Sequence, residues 1–312
     1  MSRLWKKKKV FFCGCLGIVL LLFCTVMVKI VDIKSADTYW IEGLGYDEEE
    51  VYELKLDRAG CPMIPVTFEE ETYDFYFDTG CATGIAVTNV LENKMDYTVL
   101  KQIEQLNRDG SHRGWSYGIS IKEMKLFDET FQDVACAMTD WKMSSSHKFN
   151  GLLGTEFFED KMITIDYRAR KIAVSEETVN AIELSQSQYA VVPMLHTETE
   201  GHENLVFFEC VLNDEKAVAY IDTGKNLSYI HNPDSEYIIG ASTEKPNTPC
   251  RDTMINIGNI SLGLHDMYEA NITQYDDFSY PTAIELNSDQ FLKGDIILTL
   301  DFINNNVMFL KR

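Results

Sequence analysis

The stretch Phe75-Tyr76-Phe77-Asp78-Thr79-Gly80 decides the fold of this 312-residue chain, because a close counterpart returns at Ile221-Asp222-Thr223-Gly224. In both places an apolar run leads directly into Asp-Thr-Gly, and apolar residues follow at 84–87 and 227–230. This pattern is typical of a buried strand that ends in a tight loop, where glycine supplies the backbone freedom that the turn requires. Each loop should therefore aim its carboxylate into the molecule.

Two buried carboxylates side by side are costly unless they share a proton. Such a pair can activate a water molecule for hydrolysis. A single Asp-Thr-Gly is usually an ordinary turn, whereas two copies in matching apolar contexts favour a paired site. The sequence predicts that Asp78 and Asp222 form one catalytic dyad.

The repeat extends over whole lobes. Gly151-Leu152-Leu153-Gly154 and two strand-like runs follow the first triplet, while Leu292-Lys293-Gly294-Asp295 and two such runs follow the second. Asp78 lies 76 residues before Gly154, and Asp222 lies 72 residues before Gly294. Upstream, residues 63–68 match residues 205–210. A repeat of this length is too long for a solenoid unit and predicts two similar lobes.

On these residues the chain resembles a bilobed, pepsin-like aspartic protease whose individual lobes resemble retropepsins. The resemblance covers roughly residues 56–312 and is closer in the first lobe, since Lys293 stands where an apolar residue is usual. It implies a mainly β fold of two β-barrel-like lobes that face each other across a cleft. The expected lobes are 56–176 and 189–312, joined by a linker at 177–188. Short β-type runs between turn signals favour the same fold class.

The resemblance implies an aspartic endopeptidase that acts on a protein or peptide substrate without a metal or organic cofactor. Thr79 and Thr223 would bond the opposite lobe's backbone, and Gly80 and Gly224 would let the backbone support the carboxylates. Because one chain carries both triplets, the active site should be monomeric. Two alternatives stay open: a catalytically inactive protease-fold receptor or binding protein on the cell surface, and a surface module in which both triplets are only turns.

The residue after each Asp-Thr-Gly departs from the family. That residue is usually Ser or Thr, whose hydroxyl can bond the carboxylate, but here the positions hold Cys81 and Lys225. A thiol is a weak donor, and an ammonium beside the dyad would depress its pKa values. Because a buried unshared charge is expensive, we expect Lys225 to reach solvent and the dyad to work in the mildly acid to neutral range.

Several local elements are also predicted. Residues 63–68 and 73–77 should form a hairpin, and a second hairpin should turn at 213–215. Residues 89–106 have helical spacing, with Asn89 as a plausible N-cap. Glycines flank aromatic residues at 109–118, which suggests a hairpin tip. In the family a β-hairpin flap folds over the substrate, so Tyr117 and Trp115 are flap candidates, although an ordinary loop fits equally well; a counterpart flap would fall within 245–260.

The N-terminus predicts a membrane anchor. A basic tail at 1–9 precedes an uncharged run from Val10 to Val28, which is long enough to cross a bilayer. We expect a cytoplasmic tail at 1–9, a transmembrane anchor at 10–31 and a solvated acidic stalk at 32–55. By the positive-inside rule the lobes of this single-pass membrane protein would be extracytoplasmic. A cleaved signal peptide is the alternative, but its apolar region would be shorter.

The charge of the chain limits its possible binding partners, and its cysteine count limits its possible disulfides. Seven of the 28 Lys and Arg residues lie within 1–34, so 21 remain against 48 acidic residues. This acidity makes a nucleic-acid partner improbable. An odd number of cysteines lies beyond the predicted anchor and cannot all pair within one chain. Cys61–Cys136 and Cys210–Cys250 are conceivable bridges.

Overall fold

The computed structural model of the chain describes residues 39–81, 84–106, 112–139, 150–177, 189–237 and 248–312. These residues are mainly β, as predicted. Their strands form two sheets of 14 and 8 strands. The described helices are short: α1 (Tyr39–Leu44), α2 (Ser288–Lys293) and 3-10 turns at Glu48–Glu50, Asn89–Leu91 and Thr155–Phe158.

The eight-stranded sheet belongs to the first half of the chain, in the order β2-β3-β4-β9-β5-β8-β7-β6. Many of its apolar side chains, among them Phe75, Phe77 and Ile85, are fully buried. The strands are β2 (Lys55–Leu56), β3 (Pro62–Phe68), β4 (Glu71–Phe77), β5 (Ile85–Thr88), β6 (Tyr97–Leu106), β7 (His112–Leu126), β8 (Glu129–Thr139) and β9 (Gly151–Leu153).

The second half contributes most of the larger sheet. Its strands are β12 (Tyr189–Leu195), β13 (Val206–Leu212), β14 (Glu215–Ile221), β15 (Ser228–His231), β16 (Thr248–Pro249), β17 (Thr253–Ile257), β18 (Ile260–Leu264), β19 (Met267–Ala270), β20 (Thr282–Leu286), β21 (Ile296–Asp301) and β22 (Asn306–Lys311). The remaining strands of this sheet come from the first half: β1 (Val51–Glu53), β10 (Met162–Asp166) and β11 (Lys171–Ser175).

The two halves repeat one set of strand pairings around the Asp-Thr-Gly loops. In the first half β4 runs parallel to β9, while β5 runs parallel to β8 and antiparallel to β9. In the second half β14 runs parallel to β20, while β15 runs parallel to β19 and antiparallel to β20. Both triplets therefore leave the end of a strand that is flanked on each side by other strands.

Six consecutive strands of the larger sheet join the halves, and we call them the shared sheet: β1, β11, β10, β21, β22 and β12. Strand β10 of the first half pairs antiparallel with β21 of the second, from Met162 opposite Asp301 to Ile165 opposite Leu298. Helix α1 packs on this sheet, where Trp40 and Leu44 are buried against Met162, Ile297 and Leu310.

The predicted solvated stalk at 32–55 is wrong for residues 39–55. Trp40 has no exposed surface, and its Nε1 donates to Asp166 Oδ2 at 2.7 Å. The Tyr46 hydroxyl bonds that of Thr164, also at 2.7 Å. Strand β1 adds to the edge of the shared sheet opposite 171–173. The acidic residues in this segment misled the prediction, because most of them are exposed while Trp40, Leu44, Tyr46 and Leu54 in the same segment are buried.

The predicted helix at 89–106 is also wrong. The segment forms the 3-10 turn Asn89–Leu91 and then β6, which pairs with β7 along its length. Val90, Val99, Leu100 and Leu106 are each more than half exposed. Leu91 and Met95 are buried before β6 begins, whereas Val99, Leu100 and Leu106 on β6 are exposed, so the apolar residues do not form the buried face of a helix.

Both predicted hairpins are confirmed. β3 pairs with β4 across a turn in which Glu69 has φ 53°. β13 pairs with β14 across Asn213 and Asp214, which have φ 51° and 67°. Asparagine and aspartate tolerate this left-handed region better than most residues. In the second half, β17 pairs with β18 and with β13, so residues 253–260 belong to a hairpin of the larger sheet, while residues 245–247 of the predicted counterpart flap lie outside the described residues.

None of the helices formed by residues 39–312, where described, is long and apolar enough to cross a membrane. The predicted anchor at 10–31 lies outside the described residues, as do residues 178–188 of the predicted linker.

Candidate active site

The catalytic candidates Asp78 and Asp222 occupy equivalent positions at the ends of β4 and β14. Asp78 N–H donates to Leu153 O at 2.9 Å, and Asp222 N–H donates to Leu286 O at 2.8 Å. In each half the acceptor lies on the strand that runs parallel to the one preceding the triplet. The same backbone bond thus aims both aspartates.

The structure brings the two carboxylates together within hydrogen-bonding reach. Both glycines of the triplets lie against the opposite carboxylate. A Cβ added at Gly80 would stand 2.7 Å from Asp222 Oδ2, and one added at Gly224 would stand 2.3 Å from Asp78 Cγ. Because real Cβ contacts are longer than this, the site has no room for a side chain at either position.

The threonines lock the loops to each other as the resemblance implied. Thr79 N–H donates to Thr223 Oγ1 at 3.0 Å, and Thr223 N–H donates to Thr79 Oγ1 at 3.1 Å. Each hydroxyl in turn donates to a carbonyl of the opposite half at 2.6 Å, Thr79 to Ile221 and Thr223 to Phe77. Both side chains are fully buried. This closed ring of four bonds fixes the loops back to back.

Electrostatics favour a proton on the dyad. Burial, and then the neighbouring Asp222 carboxylate, raise the pKa of Asp78 well above its ordinary value. The Gly80 N–H, which donates to Asp78 Oδ1 at 2.9 Å, and the Lys225 charge act in the opposite direction but do not outweigh the rise. A neutral Asp78 can donate a hydrogen bond, so the arrangement suits one proton shared between two carboxyl groups.

The expectation that Lys225 reaches solvent is wrong. Its side chain is 30% exposed, but its ammonium lies 3.4 Å from Asp222 Oδ2 and forms an ion pair with Glu285. Burial alone would lower the pKa of Lys225, yet the charges of Glu285 and Asp222 raise it above its ordinary value. The buried charge of Lys225 is tolerated because Glu285 and Asp222 both pair with it.

Glu285 is a site residue that the sequence reasoning missed. It lies on β20 opposite Tyr220 and is 3% exposed. Its counterpart in the first half is Leu152, which lies opposite Tyr76. The signal was present in the sequence: Leu286 precedes Ser288-Asp289-Gln290-Phe291 as Leu153 precedes Thr155-Glu156-Phe157-Phe158.

This register corrects the predicted counterpart of Leu152-Leu153-Gly154. The match in the second half is Glu285-Leu286-Asn287 rather than Leu292-Lys293-Gly294, which lies at the end of α2. Gly154 is required in the first half, since a Cβ there would stand 2.4 Å from Cys81 O. In the second half Asn287 is accommodated because its side chain accepts from Ser228 Oγ at 2.8 Å.

Two further titratable side chains face the dyad. Burial, and then the charges of Asp222, Glu285 and Asp78, raise the pKa of Tyr220 well above its ordinary value. Burial, and then Asp57 and the dyad, raise the pKa of Cys61, whose thiol lies 3.4 Å from Lys225 O. Both groups therefore stay neutral beside the carboxylates. Neither conceivable disulfide is formed, since Cys61, Cys136, Cys210 and Cys250 are all free thiols.

The flap candidates lie together on β7. Trp115 and Tyr117 are 45% and 41% exposed and belong to the hairpin formed by β6 and β7. With Tyr97, Val99 and Met138 they line a cavity of about 530 Å³. Neither aspartate lines this cavity, so the covering role of these two residues stays a prediction.

No protein-family model matches the chain, and none of the curated proteins matches it significantly.

Proposed function

We propose that the chain is an aspartic endopeptidase of the bilobed, pepsin-like fold, in which each half is one β-barrel-like lobe. The observation that carries the proposal is the pair of Asp-Thr-Gly loops, locked by reciprocal threonine bonds with their carboxylates in hydrogen-bonding reach. An accidental turn would need neither the buried threonines nor the side-chain-free glycines. One chain supplies both halves of the site.

The chemistry follows from a dyad that holds one proton. The ionised carboxylate takes a proton from a water molecule, whose oxygen bonds to the carbon of the scissile peptide carbonyl. The protonated carboxyl gives its proton to the carbonyl oxygen, which produces a neutral tetrahedral diol. The proton taken from water then passes to the amide nitrogen as the C–N bond breaks, and a diol hydroxyl proton returns to the dyad.

The test is cleavage of a peptide library by the full chain beside Asp78→Asn and Asp222→Asn. We expect each substitution to abolish cleavage while the fold is retained, and a mixture of the two variants to restore none of it. If either variant cleaved peptides as fast as wild type, the catalytic dyad would be refuted. Activity recovered in the mixture would show that dyads form between chains.

A catalytically inactive binding protein is the second candidate, and the contact between Lys225 and Asp222 favours it. A cation so placed favours ionisation of the dyad and works against the shared proton. Binding of an uncleaved peptide or of a transition-state-mimicking inhibitor, without any turnover by wild type, would support this candidate over the enzyme.

We further propose that the protein is held in a membrane by residues 10–31, with both lobes extracytoplasmic. Support comes from the uncharged run at 10–28 behind a basic tail. Protease treatment of intact cells should remove the folded part. Its protection, or its release with a new N-terminus, would refute this topology.

A further inference from the structure

The two halves match closely around the dyad but differ in charge at two equivalent positions. The residue after Asp-Thr-Gly is Cys81 in the first half and Lys225 in the second. The residue on the strand parallel to β4 or β14 is Leu152 in the first half and Glu285 in the second. Only the second half thus carries a pair of opposite charges, and the two charged groups contact each other.

This ion pair is directed at one member of the dyad. Lys225 Nζ lies 3.4 Å from Asp222 Oδ2, and Asp222 and Glu285 are 6% and 3% exposed. Coulomb interactions over such distances are much stronger at a buried site than in water. Asp78 accepts a bond from the backbone N–H of Gly80, a dipole rather than a full charge.

We propose that Lys225, held in place by Glu285, fixes the asymmetry of the dyad: Asp222 is the ionised member, and Asp78 carries the shared proton. Glu285 balances the ammonium, so the pair orients the dyad without adding net positive charge. Lys225 and Glu285 are then positioning residues, since they act on substrate only through Asp222. The assignment of catalytic roles rests on the proposed function.

The other groups that face the dyad do not compete with this assignment. Tyr220, two residues before Asp222, and the Cys61 thiol are neutral because burial and the neighbouring carboxylates raise the pKa of each. The ring of Tyr229 lies 6.0 Å from the Lys225 ammonium and carries no charge. Asp57 accepts bonds from Ala59 N–H, Cys61 N–H and the Tyr76 hydroxyl. These bonds tie the Asp57 carboxylate to the loop before β3 and to β4 rather than to the dyad.

The proposal divides the catalytic roles. Asp222 would take the proton from the attacking water and later pass it to the leaving nitrogen. Asp78 would give its proton to the carbonyl oxygen and recover one when the diol collapses.

Stability tests the assignment without any need for turnover. An amide mimics a protonated carboxyl, so Asp78→Asn and Asp222→Asn each lock one member of the dyad as neutral. Because the folded pKa of Asp78 is raised, the stability that its proton contributes is present at low pH and is lost as pH rises through that pKa. In the full chain at pH 7, we expect Asp78→Asn to be at least as stable as wild type. Asp222→Asn should melt at least about 3 °C lower than Asp78→Asn, because any charge left on the dyad must then sit on Asp78 and Lys225 loses Asp222 as a partner.

The cause is tested by repeating both substitutions in a chain without the ion pair. In Lys225→Gln/Glu285→Gln the difference between the two asparagine variants should vanish. A second background, Lys225→Cys/Glu285→Leu, copies the first half's own residues and carries the same expectation if the glutamine pair does not fold. The matched control is Lys161→Gln/Glu129→Gln, which removes a remote ion pair whose lysine is 12% exposed and should leave the difference intact.

Either of two results would overturn the proposal: a more stable Asp222→Asn in the wild-type background, or an unchanged difference in the backgrounds that lack the ion pair. Neither readout depends on cleavage. A chain that cuts no peptide would therefore refute the proposed function and leave the charge assignment to be decided by melting alone.

Discussion

Thr79 and Thr223 are each other's hydrogen-bond partner twice over, because each backbone N–H donates to the other's hydroxyl oxygen, at 3.0 and 3.1 Å. Each hydroxyl then donates onward to a backbone carbonyl across the boundary between the halves. Every polar atom of these fully buried side chains is thereby used, and two loops 144 residues apart in sequence are held in register.

Replacing either threonine by valine keeps the shape and removes the hydroxyl. Thr79→Val would leave the Ile221 carbonyl and the Thr223 N–H without these partners in a buried place. We expect a loss of about 2–4 kcal/mol in the free energy of unfolding, measured by urea denaturation. Thr79→Ser retains the hydroxyl and should lose only about 1 kcal/mol for the missing methyl group. Equal losses for valine and serine would contradict the role given to the hydroxyl.

A methyl group at either triplet glycine should disable the site. Gly80→Ala and Gly224→Ala would each push a Cβ against the opposite carboxylate. We expect a loss of about 1–3 kcal/mol in stability from this overpacking, and loss of peptide cleavage. Gly263→Ala is the matched control, since its Cβ would meet only the His265 side chain, at 3.3 Å or more. If Gly224→Ala behaved like Gly263→Ala, the close approach of the loops would be refuted.

The pH–rate profile should report the Lys225 contact. A dyad must lose one of its two protons to become active, and a nearby ammonium favours that ionisation. Lys225→Ser should therefore move the acid limb to higher pH, by roughly one pH unit or about 1.4 kcal/mol. In this variant the unpaired Glu285 carboxylate would also disfavour ionisation of the dyad and so move the acid limb to higher pH.

Lys293→Ser serves as the control for that profile. Its ammonium pairs with Asp266 at 2.6 Å and with Asp289 at 2.7 Å rather than with the dyad. The acid limb should stay where it is in wild type. A downward shift for Lys225→Ser would mean that the ammonium does not act on Asp222.

Trp40 should be among the most sensitive positions outside the site. It is fully buried on the shared sheet and bonds Asp166. Trp40→Ala should cost about 3–5 kcal/mol of unfolding free energy, as large aromatic deletions in a core do. Glu42→Ala changes an exposed residue of the same helix and should stay within about 0.5 kcal/mol. If Trp40→Ala melted like wild type, Trp40 would not stabilise a core, and the prediction of a solvated stalk would be supported instead.

The sequence was sufficient where local chemistry sets the structure. The Asp-Thr-Gly loops follow apolar strands, and the turn at Asn213 and Asp214 uses residues that tolerate left-handed backbone angles. It was insufficient where partners are remote. Glu285 meets Lys225 across 60 residues, and an expected desolvation cost cannot reveal which distant carboxylate offsets it.

The spacing of apolar and charged residues in the sequence also could not predict which side chains are buried. The apolar spacing at 89–106 predicted a helix, although the hairpin leaves Leu100 and Leu106 exposed. The acidic segment at 32–55 was predicted to be a solvated stalk, although its residues Trp40 and Leu44 belong to a hydrophobic core. In both cases the neighbouring strands, rather than the segment itself, decide what is covered.

The shared sheet makes the two halves inseparable. Strand β10 lies between β11 of its own half and β21 of the other, so each half presents a row of backbone donors and acceptors that only its sister satisfies. If the chain were cut within residues 178–188, the two fragments would stay associated through the pairing of β10 with β21. Either fragment made by itself would display a bare strand edge, the kind of surface that recruits foreign strands and aggregates. Gene fragments that encode one half alone should therefore yield insoluble protein, and co-expression should rescue both.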